Sequence, residues 1–114
     1  MIVRHNTVKP TTFDGLQIRD YTADHELSSS LAVIDVPPGG HHKMAYSTRS
    51  DKFYFVASGK LSFTLDDTEH QLEEGDLCIV NKGQRFAYRN EGPDPAALIL
   101  MHTPSFDLNS EIFL

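Results

Sequence analysis

Short runs of β-branched and aromatic residues, separated by turn-forming residues, recur along this chain and constrain its fold more than any other feature. Clusters of Gly, Pro, Asn and Asp separate the runs, and these residues accept the dihedral angles of turns. No long stretch keeps apolar residues at helical spacing, so no substantial helix is expected. The pattern predicts an all-β sandwich or barrel. The predicted strands lie at residues 31–36, 53–57, 61–65, 77–80, 86–89 and 97–101.

The length of 114 residues fits one domain with one core. We expect a single domain over residues 1–114, with a barrel core at about 28–104 and a C-terminal segment, 105–114, that docks on the barrel or on a partner subunit. The N-terminal residues lack the apolar core of a secretory signal, and the lone Cys78 cannot form an internal disulfide. A cytoplasmic location is the resulting expectation.

The charge balance bears on the choice of partner. The formal net charge is −6, whereas binding to nucleic acid or to an anionic membrane depends on clustered Lys and Arg. Neither partner is therefore expected, and no apolar run is long enough for a membrane helix. The expected partner is a small molecule.

Two stretches with turn-forming residues at regular spacing resemble the paired motifs of the small single-domain cupin family. The first, from Asp51 to Leu61, resembles E-x-F-Y-V-L-x-G-x-L. The second, from Glu74 to Asn90, resembles G-D-x-x-x-x-P-x-G-x-x-H-x-x-x-N. The resemblance covers roughly half of the chain with its spacer, and it implies a double-stranded β-helix, the jelly-roll β-barrel, with a pocket for a small molecule at its centre.

The same resemblance implies where a divalent metal would be bound, and the expected ligands are absent there. Those positions fall at Ala45, Ser47, Lys52 and Phe86. One residue of slack in the first motif gives Tyr46 and Thr48 instead, which restores no ligand set. An ammonium group at Lys52, where a carboxylate would ligate, repels a cation. We therefore expect no metal and no other cofactor.

A pocket of apolar and aromatic character with a few polar groups is expected in place of a metal site. Alternation puts Lys52, Tyr54 and Val56 on one face of a strand, which the resemblance makes the barrel interior. Matching the last strand to the family also places Ile99 and Met101 inside. The alternative is that packed side chains fill the barrel and leave no cavity. The expected ligand-binding residues are Lys52, Tyr54, Phe86, Tyr88, Met101, Ser47, Tyr46 and His41.

Lys52 is the most informative of these residues, because a buried lysine without a partner loses its proton. Lys52 must reach the mouth of the barrel, pair with an acid, or act as a neutral amine. We expect it to bind a ligand near the mouth, where replacement by Met would change stability by less than about 1 kcal/mol. If it is buried against a carboxylate instead, the same replacement would cost about 3–5 kcal/mol.

Three functions remain open on the sequence, and it does not decide whether the protein is an enzyme. The first is a metal-free module that binds a small metabolite. The second is a metal-independent isomerase, epimerase or lyase that moves a proton next to a carbonyl of a sugar-like metabolite. The third is a metalloenzyme with unusual ligands from His41, His42 and His102, although neighbouring residues of a strand point to opposite faces.

A homodimer is expected, because small cupins often pair through edge strands. The apolar ends Ile2-Val3 and Ile112-Phe113-Leu114 are suited to covering such an edge.

Overall fold

The computed structural model describes residues 1–114, which form eleven strands in two antiparallel sheets. Two short 3-10 helices, His5–Thr7 and Leu108–Ser110, are the only helical elements. Neither is long or apolar enough to cross a membrane. The strands are β1 (Thr11–Phe13), β2 (Leu16–Asp20), β3 (Ser30–Val36), β4 (His41–Ser47), β5 (Asp51–Ser58), β6 (Lys60–Leu65), β7 (Thr68–Glu73), β8 (Leu77–Val80), β9 (Phe86–Arg89), β10 (Ala96–Thr103) and β11 (Glu111–Phe113).

The two sheets pack face to face as a jelly roll. Sheet A has six strands in the order β1-β2-β3-β10-β5-β8, and sheet B has five in the order β11-β4-β9-β6-β7. Strands distant in sequence lie side by side, since β10 pairs with both β3 and β5. The prediction of an all-β jelly-roll fold is confirmed.

Inward-facing side chains of both sheets form one apolar core. Its largest fully buried members include Tyr54 on β5, Phe63 on β6, Phe86 on β9 and Leu98 on β10. Aromatic rings dominate this core, and Tyr54 lies 5.1 Å from Phe63 and 5.6 Å from Phe86 between ring centroids. Aromatic packing of this kind holds both sheets together, and it stabilises the fold by more than the buried apolar area alone would.

The chain ends complete the sandwich at one end. The N-terminal hairpin β1–β2 extends sheet A, and β11 pairs with β4 at the edge of sheet B, with Glu111 opposite Ser47 and Phe113 opposite Ala45. The ring of Phe13 in the hairpin lies 5.4 Å from that of Phe113. The N-terminal hairpin and the C-terminal strand β11 are therefore in contact.

Candidate functional site

A cavity of about 290 Å³ lies between the sheets, where the β1–β2 hairpin and β11 meet. Its size is close to the lower end of typical small-molecule pockets, so it suits a metabolite of the size of a sugar or nucleoside. Most of its wall is apolar, including Phe13, Ile34, Leu100 and Phe113. Its ionisable lining residues are Asp20, His42, Lys52, Tyr54, Tyr88, His102 and Glu111.

Lys52 and Glu111 form a buried ion pair in this cavity. Their side chains are only 3% and 5% exposed, and the ammonium also lies 4.5 Å from the centroid of the Phe86 ring. Burial lowers the pKa of Lys52, while the charge of Glu111 and their hydrogen bond oppose that shift. Lys52 is thus paired with an acid and does not sit near solvent. The higher cost of replacing it, about 3–5 kcal/mol, is the one that applies.

His42 on β4 lies among aromatic rings at the cavity wall. Its ring centroid is 5.0 Å from Phe86 and 5.4 Å from both Phe13 and Tyr88. Burial is the main reason that its pKa falls to about 4, so the imidazole is neutral near pH 7. Its Nδ1 lies 2.7 Å from the carbonyl oxygen of Lys43. Because a carbonyl only accepts hydrogen bonds, Nδ1 carries the proton and Nε2 carries the lone pair.

Two buried polar atoms of the cavity residues have no hydrogen-bond partner in the protein, the hydroxyl of Tyr88 and Nε2 of His102. Burial raises the pKa of Tyr88 and lowers that of His102 to about 3, so both side chains are neutral near pH 7. His102 lies beside Lys52 in the pairing of β10 with β5. Unpaired buried polar atoms are costly, and facing a cavity they are suited to binding polar groups of a ligand.

The structure brings together three of the predicted binding residues, since Lys52, Tyr54 and Tyr88 all line the cavity. Phe86 is fully buried and packs behind them against His42 and Tyr54. The interpretation that side chains fill the barrel completely is wrong, because a cavity is present beside them.

The other predicted positions need correction. Met101 lies on the outer face of sheet A and is 40% exposed, and Ile99 shares that face, because the inward residues of β10 are Leu98, Leu100 and His102. His102 is therefore a cavity residue. The expected inward face of β10 was wrong by one residue.

On β4 the predicted binding residues also need correction. His41 is exposed and its neighbour His42 lines the cavity instead. Tyr46 points away from the interior face that carries Ala45 and Ser47. Ser47 is buried, but its Oγ accepts hydrogen bonds from the backbone N–H groups of Arg49 and Ser50, which closes a turn outside the cavity.

The residues at the family's metal positions do not fit a divalent metal. Ala45 and Phe86 offer no ligand atom, Ser47 is used in the turn, and Lys52 is a cation paired with Glu111. No group of three or more His, Cys, Asp or Glu side chains is placed to hold a metal ion. His41, His42 and His102 therefore do not form a metal site either.

Comparison with known proteins identifies the family. The Cupin_2 model, described as the cupin domain, matches residues 32–102. The chain belongs to the Cupin_2 family. This cupin is also 30% identical over 101 residues to protein SchB of Streptomyces halstedii, covering 86% of the chain and 73% of SchB.

Solved structures share the fold of this cupin at low sequence identity. Pac13 of Streptomyces, described as a nucleoside dehydratase, matches with a TM-score of 0.87 and 19% identity, covering all of this chain and 90% of Pac13. Pac13 variants with a tyrosine or a histidine replaced have been solved with uridine. KdgF from Halomonas matches with a TM-score of 0.81 and 16% identity, covering 94% of this chain and 96% of KdgF. At these identities the likeness establishes the fold.

Sequence reasoning missed Glu111, and it considered His42 and His102 only as unusual metal ligands. Glu111 lies 59 residues from Lys52 in the chain, and only the pairing of β11 with β4 brings it into the cavity. The only signal for this segment was its apolar ending, which predicted docking but not an acid in the pocket.

Proposed function

We propose that this cupin is a metal-independent lyase that removes water from a sugar-like or nucleoside-like molecule carrying a carbonyl group. The observation that carries the proposal is the fixed tautomer of His42. Donation from Nδ1 to the Lys43 carbonyl leaves the Nε2 lone pair available on a neutral ring at the cavity wall. A positioned neutral imidazole is the commonest general base in proteins.

The residues around His42 support an elimination. Nε2 of His42 takes the proton from the carbon next to the carbonyl, and that C–H electron pair forms a C=C bond as the C–O bond to a neighbouring hydroxyl breaks. Tyr88, whose ring lies 5.4 Å from that of His42, gives its phenolic proton to the departing oxygen, which leaves as water. Proton return from His42 to Tyr88 restores both groups, so the step balances without an added reagent.

The environment sets the protonation state in which each group begins the reaction. Burial raises the pKa of Tyr88, so the phenol keeps its proton until a strongly basic oxygen leaves. The lowered pKa of His42, about 4, keeps the base unprotonated across the physiological range. His102, with its unpaired Nε2, is available to hydrogen-bond a substrate oxygen, and the apolar wall limits access of water.

Similarity to Pac13 supports the choice of a dehydration over an isomerisation. Pac13 is described as a nucleoside dehydratase, and its solved variants replace two different tyrosines and a histidine. This cupin has two tyrosines of its own in the cavity, Tyr54 and Tyr88, together with His42. We extend the nucleoside-like substrate class to this chain on that basis.

The proposal is tested by incubating chelator-treated protein with uridine, other nucleosides and hexoses. The oxidised form of each compound, in which a hydroxyl is replaced by a carbonyl, is tested in parallel. The expected result is loss of one water from a carbonyl-bearing compound, detected by mass spectrometry. Replacing His42 by Gln, or Tyr88 by Phe, should reduce turnover by about 10²–10⁴-fold. His41→Gln, at the exposed neighbouring residue, is the matched control and should keep full turnover.

Two results would count against the proposed function. Saturable binding without any turnover, measured by thermal shift across the same panel, would favour a metal-free binding module. Turnover that appears only after a divalent metal is added back would show that the metal-independent mechanism is wrong.

A further inference from the structure

We propose that Glu111 determines ligand specificity: by neutralising Lys52 it makes the cavity select uncharged molecules over phosphorylated or carboxylated ones. The inference rests on the proposed function in that it concerns the same cavity. It goes further by naming the residue that separates a nucleoside from a nucleotide, or a sugar from a sugar phosphate.

The charges that line the cavity have no positive excess. Lys52 and Glu111 cancel each other, wherever their shared proton lies, and they are the two most deeply buried charged side chains in the wall. Asp20 adds a negative charge, and its Oδ1 already accepts hydrogen bonds from the N–H and hydroxyl of Thr22. His42 and His102 add none, because burial keeps both neutral.

Lys43, the next lysine to consider, lies outside the cavity wall. The Nζ of Lys43 is 5.1 Å from the ring of Phe113 and 6.0 Å from that of Phe13, and Lys43 itself does not line the cavity. The two rings, in contact with each other, separate this cation from the interior. A phosphate group entering the cavity would thus leave water without gaining an unpaired cation, which is strongly unfavourable.

The polar atoms that do have unmet hydrogen-bonding capacity are uncharged. The Tyr88 hydroxyl can donate or accept, and neutral His102 offers Nε2 in the same cavity. Both suit hydroxyl and carbonyl groups of a neutral ligand. The donor set and the charge balance thus favour the same chemical class.

Removal of the Glu111 charge should reverse the selectivity. Glu111 holds its place in β11 through backbone pairing opposite Ser47, so a change of its side chain leaves the strand pairing intact. Without the carboxylate, burial lowers the pKa of Lys52 unopposed, and an anion that enters beside the ammonium takes the place of the lost partner. Glu111→Gln keeps the side-chain shape and converts the cavity into an anion site.

The experiment compares the parent, Glu111→Gln, and the double variant Lys52→Met with Glu111→Gln, which restores charge balance without the pair. Inorganic phosphate and acetate are the first probes, read by thermal shift and calorimetry. The single variant should bind them at least about tenfold more tightly than the parent, and the double variant should behave as the parent does. Equal anion affinity in all three proteins would overturn the proposal.

Uridine and uridine monophosphate form the second pair of probes. The parent should prefer uridine, and Glu111→Gln should shift the ratio of affinities toward the monophosphate. If neither compound binds the parent, the nucleoside-like substrate of the proposed function is wrong, while the phosphate and acetate results still decide the role of Glu111. Should Glu111→Gln unfold in the absence of anions, recovery of its β-sheet circular dichroism by phosphate becomes the readout, and no recovery would contradict the proposal.

Discussion

Burial of single ionisable side chains gives this cavity its chemistry. His42 and His102 are neutral because they are removed from water, and Lys52 is tolerated inside because a carboxylate meets it. The folded protein therefore resists protonation at two histidines that an unfolded chain would protonate readily.

That resistance predicts a specific loss of stability in acid. The pKa values of His42 and His102 fall from 6.5 to about 4 and about 3, so the unfolded chain binds more protons below about pH 6.5. The free energy of unfolding should decline as the pH falls from about 7 to about 3, and His42→Gln or His102→Gln should each flatten that decline. Urea unfolding at several pH values measures it.

The matched control for acid stability is His41→Gln, which changes the exposed neighbour of His42 and should keep the parent's slope. If both cavity variants retained the full slope, burial of these imidazoles would not be the source of the acid sensitivity.

Turns between strands place the cavity residues, and two glycines there differ in what surrounds them. Gly59 joins β5 to β6 with φ +80°, and a Cβ at this position would lie 2.7 Å from the Pro95 carbonyl oxygen and 2.8 Å from Cα of Ala96. Gly75 precedes β8 with φ +93°, and a Cβ there would meet nothing within 4 Å. Both residues need the left-handed region of φ, but only at Gly59 do neighbouring atoms also leave no room for a side chain.

Gly75→Ala should accordingly cost about 1–2 kcal/mol through backbone strain alone. Gly59→Ala should cost about 1–3 kcal/mol more, because backbone atoms of β10 and the residue before it must move. Urea unfolding of the two variants measures the difference. Equal costs would mean that the contact at Gly59 relaxes freely.

At the level of strands, sequence periodicity predicted some elements well and failed where periodicity was absent. The predicted strands 77–80 and 86–89 agree with β8 and β9, and the inward face of β5, with Lys52 and Tyr54, was correct. In contrast, β10 is apolar on both faces, so alternation carries no information on which face is buried. Its inward set was therefore assigned to the wrong face, which placed Met101 inside and left His102 out.

The strands that were not predicted from the sequence are positioned by pairing with strands that are distant in the chain. The register of β4 against β9 shifts between His42 and Ala45, and this bulge lets His42 and Ala45 both face inward. Short strands such as β1 and β11 have too few residues to show a period. Glu111 could not be assigned to the cavity from sequence for the same reason, since its place depends on β4.

The outer face of sheet A bears on how the whole molecule assembles. Its central strands β3, β10, β5 and β8 present apolar side chains outward in adjacent rows. Leu77 is 52% exposed, Ile79 46%, and Phe55 and Met101 40% each. The patch comprises Leu31, Val33, Phe53, Phe55, Leu77, Ile79, Ile99 and Met101.

We propose that a second copy of the chain packs on this face. A contiguous apolar patch on a monomer often marks an interface, and this uncharged patch can pack on itself about a two-fold axis despite the net charge of −6. The apolar C-terminal residues suit that role less well, because Phe113 is already packed against the core of its own chain. We therefore expect the homodimer to form through sheet A, and pairing at a strand edge covered by the chain ends is the alternative.

Light scattering at high micromolar concentration should give the mass of a dimer for the parent protein. Phe55→Lys should give the mass of a monomer, because dimerisation would bury the new ammonium without a partner at the centre of the face. Thr64→Lys, on the outer face of sheet B, is the matched control and should remain a dimer. The cavity is lined from inside the barrel, so the monomeric variant should still bind the same ligands as the parent. A monomeric parent, or a Phe55→Lys protein that stays dimeric, would place the interface elsewhere or remove it.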